Sequence, residues 1–534
     1  MESILKSKKL DNVCYDIRGP VLAHAKKMED DGHRIIKLNI GNPAAFGFEA
    51  PDEITQDVIR NMSRASGYTE SHGFFEPRKA IMHYTQQKNI KNVDVDDIII
   101  GNGVSELIVM SMQGLINNDD EVLIPKPDYP LWTAAVTLAG GKPVHYTCDE
   151  SAEWFPDIKD IESKITSKTR GILVINPNNP TGALYSDDLL EDIIEVARRN
   201  KLIIFADEIY DKVLYDDNKH TAIASLADDV LFVSLNGLSK NYRACGYRAG
   251  WLVVSGNKDV ASDYLEGLNM LASMRLCSNV PGQLAIQTAL GGYQSINDLV
   301  APSGRLFKQR ELAYKMISSI EGVSCVKPKA AMYLFPKLDP KVYQIEDDQK
   351  FILDILIEKK ILLVQGSGFN WHDNNHLRLV FLPNEDDLKI AIQRLSEYLD
   401  NYRKRMAREK SDAIRFANAS LLSELLPVVD NFQMGLSAAM NEDPDSIISK
   451  GMEMVQKQLE EFFTSQGAIP VSAEGNEFNP NLHEAISQET SETIPEGHVI
   501  SEIRKGYTLN ERLLRAANVI VSKGPENTDE DNES

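Results

Sequence analysis

The chain has 534 residues, more than a single hydrophobic core ordinarily organises, so several domains are expected. With 43% hydrophobic and 25% charged residues it has the composition of soluble globular protein, which argues against a dominant disordered half. A formal net charge of −22 argues against nucleic-acid binding driven by phosphate neutralisation.

The five cysteines (Cys14, Cys148, Cys245, Cys277 and Cys325) are scattered, with no CxxC pair and no adjacent histidine cluster. That pattern reads as reduced thiols, with neither a disulfide frame nor a metal site. The opening MESILKSKKLDNVCYD is charged and lacks the apolar core of a signal peptide. No apolar run approaches the ~20 residues needed to span a bilayer. A soluble, cytoplasmic protein without membrane contact is expected.

In chain order, residues 90 to 260 alternate short β-branched runs with longer amphipathic stretches. DDIIIGNG, EVLIPKP, GILVINPNNP, KLIIFADEIY and VLFVSLNG read as buried strands, each ending in a turn or a polar residue. VSELIVMSMQGLI and SDDLLEDIIEVARRN between them read as helices, the second opened by Ser186 as N-cap. Such alternation predicts an open α/β sheet whose ligands sit at the carboxyl ends of the strands. A smaller α/β segment follows over about 300 to 400, with AAMYLFPKL, ILLVQG and HLRLVFL as strands.

Near residue 400 the character changes. From Glu385 to Met440 helical spacing runs almost without Gly or Pro until Pro427, predicting one long helix or two nearly coaxial ones with no flexible linker. A kink is expected at Pro427. After Gly467 short strands and tight turns predict a compact β module, although FNPNLHEAISQET with the following residues also reads, by composition, as a loop, a short helix and a hairpin. From Asn401 onward 13 Lys+Arg face 23 Asp+Glu, and the tail GPENTDEDNES is acidic and apolar-poor, hence expected to be disordered. The expected divisions are 1–400, 401–466, 467–524 and 525–534.

Four segments carry the chemistry. Lys240 follows a strand-like run in SLNGLSKNYRACGYRAGW; alone it is a surface charge, but Gly246 and Arg248 after it suit a phosphate clamp. A lysine that forms a Schiff base must reach an aldehyde and lose its proton readily. Asp207 ends KLIIFA; alone it is a helix cap, but paired with Lys240 it suits a cofactor whose pyridine nitrogen must stay protonated. NPNNPTG (176–182) has the composition of a turn, placed at a strand end where ligand contacts fall. GNGVSEL (101–107) is a strand, a Gly-rich turn and a helix start, able to cradle phosphate with backbone N–H groups and Ser105.

In this order the four segments resemble the fold-type-I pyridoxal-phosphate aminotransferases. KLNIGNPAAFGFEAPDEI, PDYPLWTAAV, NPNNPTGALYS and LASMRLCSNVP are similar to the bacterial alanine (glutamate–pyruvate) members. The resemblance implies pyridoxal 5'-phosphate, a large sheet domain plus a small α/β domain, a homodimer, and small amino acids and 2-oxo acids as substrates. It implies that Lys240 anchors the cofactor and then moves the substrate proton. Asp207 would pair with the pyridine nitrogen, Asn179 and Tyr210 would bond the ring oxygen, and Tyr129 would stack on the ring. Gly103, Val104, Ser105, Ser239 and Arg248 would hold the phosphate, with Tyr68 from the other subunit. Gly41, Asn179 and Arg378 would hold the substrate α-carboxylate. Gly237 stands where many relatives carry a phosphate-binding serine, although the alanine group shares the glycine. Tyr15 and Arg18 read either as a structural arm or as a lid with Arg18 near the substrate side chain.

NYRKRMAREKSDAIRFANASLLSELLPVVDNF and PEGHVISEIRKGYTLNERLLRAANVIVSK resemble GrpE, the nucleotide-exchange factor of DnaK chaperones, over about 400 to 524. The resemblance implies a DnaK-type partner, a long helix with short helices and a small β domain, and chaperone contacts at Gly451, Ile503 and Arg512. Those three also read as a packing glycine, a hairpin side chain and a solvated arginine. Most of the long paired helix of GrpE is absent. Three functional readings stay open: two working modules, an enzyme with an inert appendage, or a chaperone cofactor dimerised by the enzyme half.

Overall fold

In the computed structural model residues 3–11, 13 and 19–525 are described. Tyr15, Arg18 and nearly all of the acidic tail lie outside them. The chain forms two compact units, divided between Arg403 and Lys404.

The first unit is built on an eight-stranded sheet. Its strands are β1 (Ile98–Gly101), β2 (Glu121–Lys126), β3 (Lys142–Asp149), β4 (Phe155–Pro156), β5 (Thr169–Ile175), β6 (Ile203–Asp207), β7 (Leu231–Gly237) and β8 (Gly250–Gly256), in the order β1-β8-β7-β6-β5-β2-β3-β4. The central strands pair in parallel, while β8 runs antiparallel to β7 and β1. β5, β6 and β7 are buried almost throughout, as near-continuous apolar strands covered on both faces must be. Alternate side chains go to opposite faces: Ile204 and Phe232 join one core, Phe205 and Val233 the other. Three helices bear on the site: α1 (Val104–Leu115), α2 (Leu131–Ala139) and α3 (Asp187–Asn200). Ser186 caps α3 as expected, its hydroxyl accepting from Leu189 N at 3.4 Å.

A second core gathers residues from the chain start and from about 300 to 399. Here β9 (Tyr333–Leu334), β10 (Val364–Gln365) and β11 (Leu377–Val380) form a small antiparallel sheet, in the order β9-β11-β10.

Helix α4 (Glu385–Phe416) runs without interruption through residue 400, so no loop separates the two parts of the sequence there. Next come α5 (Ala419–Glu442) and α6 (Ile447–Ser465). The helical run breaks at Ala417–Asn418, and Pro427 lies inside α5. The break has its own partners: Asn418 Nδ2 bonds Gln466 Oε1 at 2.9 Å, and Asn510 Nδ2 bonds the Arg415 carbonyl at 2.8 Å. Across Pro427 the helix is held by the buried stripe Leu422, Leu426 and Val429, which packs with Phe463, Tyr507 and Leu509.

Six strands complete the second unit: β12 (Ala468–Pro470), β13 (His483–Glu489), β14 (Val499–Arg504), β15 (Tyr507–Leu509), β16 (Arg512–Arg515) and β17 (Ala517–Ser522). They form two three-stranded sheets, β12-β15-β16 and β13-β17-β14. HEAISQE is thus a strand, where composition also allowed a loop and a short helix. Only its first residue is buried, and it is held by its ladder to β17 rather than by its own apolar face. β15 and β16 are joined through Asn510 and Glu511 at φ 49 and 72, the left-handed pair that a two-residue hairpin needs.

Asp430 on α5 ties the helices to this β module. It accepts from Arg515 Nη1 and Nη2 at 2.6 and 2.7 Å and from Arg504 Nε at 2.8 Å. The two guanidinium groups hold its carboxyl below the usual range. Asp430→Ala leaves two arginines facing a half-buried gap and is expected to destabilise this unit by about 2 kcal/mol, read as a lowered midpoint of its unfolding transition in the full chain.

Candidate active site

The sheet's topology brings chemistry to one edge. Asp207 is the last residue of β6, Asn179 follows β5, Ser239 and Lys240 follow β7, and Tyr129 follows β2. These are carboxyl ends of parallel strands, where an open α/β sheet leaves a crevice. The turn after β1 and the start of α1 add Gly103, Val104 and Ser105, and β11 adds Arg378. All of these but Gly103 line a cavity of about 740 Å³.

Asp207 is 4% exposed. Trp132 Nε1 donates to its Oδ2 at 3.1 Å and Ile209 N to its Oδ1 at 3.4 Å. Burial pushes its carboxyl up to about 6, against the pull of those two bonds and of the Lys240 charge. Lys240 Nζ donates to the Gly41 carbonyl at 2.6 Å and stands 5.9 Å from the centre of the Tyr210 ring. The Tyr210 hydroxyl meets that of Tyr333 at 2.5 Å. Gly41 is required here, because a Cβ would overlap the Tyr333 hydroxyl.

Arg378 is 3% exposed, with its guanidinium 4.5 Å from the ring centres of both Tyr333 and Phe369. Its Nη1 donates to Asn179 Oδ1 at 3.1 Å and its Nη2 to the Asn39 carbonyl. Two planar faces and two hydrogen bonds hold the fork in one orientation. Arg248 donates to the Cys245 and Asn102 carbonyls at 2.9 and 3.2 Å. It packs on Gly103, whose φ is 79 and whose added Cβ would lie 2.5 Å from Arg248 Nη2. The guanidinium therefore lies beside the start of α1, whose first N–H groups have no partner within the helix.

Gly41, Val104, Ser105, Tyr129, Asn179, Asp207, Tyr210, Ser239, Lys240, Arg248 and Arg378 all line this one cavity. Gly103 lies behind it, supporting Arg248. Tyr68 is 81% exposed and does not line it. Tyr15 and Arg18 lie outside the described residues. In the second unit Gly451 is exposed on α6, Ile503 on β14 and Arg512 at the start of β16. Another concavity, about 470 Å³ beside Asp57, Phe74 and Gln287, gathers no lysine and no buried acid.

Sequence reasoning missed Tyr333, Trp132 and Phe369. Trp132 carried a signal, falling three residues after Tyr129 in PDYPLW at the start of a helix behind a strand end. Tyr333 and Phe369 sit in runs that read as ordinary core.

The chain belongs to the aminotransferase class I and II family, whose model matches residues 33–395, and this is a pyridoxal-phosphate-dependent family. The GrpE family model matches residues 381–523, so the two matches overlap at 381–395, across the start of α4. Among curated relatives, glutamate-pyruvate aminotransferase AlaA of Escherichia coli (strain K12) is 60% identical over 402 residues, 75% of this chain and 99% of its own. Alanine aminotransferase of Mycobacterium tuberculosis (strain ATCC 25618 / H37Rv) is 57% identical over 399 residues, 74% of this chain and 93% of its own. Among solved structures, an aminotransferase from Escherichia coli superposes with a TM-score of 0.75 at 59% identity, covering 75% of this chain and all of that one. Alanine aminotransferase from Pyrococcus furiosus gives 0.71 at 36% identity, covering 74% of this chain and all of that one.

Because burial raises the Asp207 carboxyl from 3.8 to about 6, the folded cofactor-free protein keeps a proton that the unfolded chain releases. Stability from this group is full below pH ~4 and falls as pH rises to ~6. Asp207→Asn removes that fall, so between pH 4 and 7 the variant should gain up to about 3 kcal/mol relative to wild type. Denaturant unfolding of both proteins at the two pH values measures it.

Proposed function

We propose that the first unit transfers amino groups between L-alanine or L-glutamate and pyruvate or 2-oxoglutarate, with Lys240 as the cofactor lysine. The observation that carries this reading is one cavity holding a buried acid, a reachable amine and a fixed guanidinium. The relatives named for alanine and glutamate–pyruvate transfer, at 57–60% identity, support the substrate choice.

The donor set fits pyridoxal phosphate. A buried carboxyl beside an indole N–H suits a ring nitrogen that must carry a proton. A helix start beside Arg248 suits a dianionic phosphate. When bound, the cofactor supplies a conjugated ring that accepts electrons from the substrate α-carbon. The chain's own residues do the rest. Asp207 would keep the ring nitrogen protonated, Val104, Ser105, Ser239 and Arg248 would hold the phosphate, and Tyr129 would cover one ring face. Asn179 and Tyr210 would bond the ring oxygen. Arg378 orients the substrate through its α-carboxylate, with Gly41 and Asn179 beside it. Lys240 Nζ would anchor the cofactor and move the substrate's α-carbon proton.

The second unit is read as a nucleotide-exchange module that speeds ADP release from a DnaK-type chaperone. Support comes from the GrpE match and from the exposure of Gly451, Ile503 and Arg512. A cytoplasmic homodimer is part of the same reading, with the exposed Tyr68 completing the partner's phosphate site.

Lys240→Ala should lower alanine–oxoglutarate exchange by about a thousandfold or more, since one residue is both anchor and proton carrier; near-normal turnover overturns the assignment. Arg378→Lys should raise KM for alanine and 2-oxoglutarate about tenfold, because an ammonium cannot reproduce a two-pronged clamp. For the second unit, the full chain should accelerate release of labelled ADP from DnaK, and Arg512→Ala should weaken that effect. No acceleration by the wild-type chain would favour an inert appendage.

A further inference from the structure

Directly beside Tyr129 is an acid that the mechanism does not use. Asp128 is fully buried and forms no ion pair among the described residues. Its carboxyl is instead surrounded by neutral donors. Asn370 Nδ2 donates to Oδ1 at 2.7 Å, and the Thr133 hydroxyl donates to Oδ2 at 2.8 Å. Asp128 N–H also donates to the Phe369 carbonyl at 3.1 Å. Burial pushes the carboxyl up to about 7 despite these bonds. An acid held this way is costly, and a packing role alone is filled as well by an apolar side chain.

Its position gives it a further use. Asp128 and Thr133 flank the segment that carries Tyr129 and Trp132, and Trp132 holds Asp207. Phe369 and Asn370 belong to the loop between β10 and β11, and the Phe369 ring lies 4.5 Å from the Arg378 guanidinium. The Asp128 backbone and side chain thus join the part of the cavity that holds the ring-binding groups to the loop that backs the carboxylate-binding arginine. Thr133 Oγ1 also meets Asn370 Nδ2 at 3.3 Å, closing a triangle.

We propose that Asp128, through Asn370 and Phe369, is a positioning residue that sets where Arg378 presents its fork to the substrate carboxylate. The inference rests on the reading of Arg378 as that clamp. Its signature is a loss of substrate binding with the bound cofactor undisturbed, because the tie ends on the Phe369 ring beside Arg378 while Trp132 keeps its own bond to Asp207.

The test uses full-length holoenzyme carrying Asp128→Ala, Asn370→Ala, both changes together, and Arg378→Lys. Asp128→Asn and Asn370→Ser stand in if the alanine variants do not fold. Each single change should raise KM for alanine and 2-oxoglutarate about tenfold, with kcat within about twofold and the cofactor's visible absorption unchanged. The double variant should be no worse than either single one, because both changes remove the same tie. An unchanged KM with only a lowered unfolding midpoint makes the acid purely structural and overturns the proposal. So does a fall in kcat with an altered absorption band. If Arg378→Lys itself leaves KM unchanged, the clamp reading fails; if it raises KM while the Asp128 and Asn370 variants do not, only the tie fails.

Discussion

A carboxyl group removed from water at the end of a parallel strand is the constraint around which this unit is arranged. Asp207 is nearly inaccessible, and among the described residues an indole N–H, a backbone N–H and the nearby Lys240 oppose the cost of burying its charge. A cation delivered into the cavity relieves that cost. The parallel order β5, β6, β7 fixes the spacing of Asn179, Asp207 and Lys240, because each stands at or just beyond the same edge of consecutive strands.

Much of this was legible in the sequence, for a physical reason. Buried parallel strands read as continuous apolar runs that stop where the strand ends, so KLIIFAD and VLFVSLNGLSK located both strand ends, and Asp207 and Lys240 there line one cavity. What stayed hidden depends on contacts distant in sequence. Tyr333 lies in AAMYLFPKL, where an aromatic side chain is indistinguishable from core, and its hydroxyl partner is Tyr210. The bond between Asp128 and Asn370 spans 242 residues, and no local pattern announces it. In the second unit β13 escaped because six of its seven side chains are exposed, so the alternation that marks a half-buried strand is absent.

The join between the two matched families lies within a helix. One match ends inside α4, at residue 395, and the other begins four residues before the helix, with overlap at 381–395. Its first half is pinned by buried Leu388, Ile392, Leu395 and Leu399, whereas no residue beyond Leu399 in this helix is buried. A helix can serve both families because its backbone bonds are satisfied locally, whatever each half packs against. The helical run continues past Pro427, where the buried stripe of α5 packs, and is interrupted instead at Ala417–Asn418, where Asn418 bonds Gln466.

The central claim is that Lys240, and no other lysine, carries the cofactor. Borohydride reduction of the holoenzyme followed by tryptic peptide mass spectrometry reads this directly, because reduction fixes the cofactor to the amine that holds it. The account predicts a pyridoxyl-phosphate label on Lys240 alone, in the peptide running into NYR. A label on any other lysine, or none at all, would contradict it.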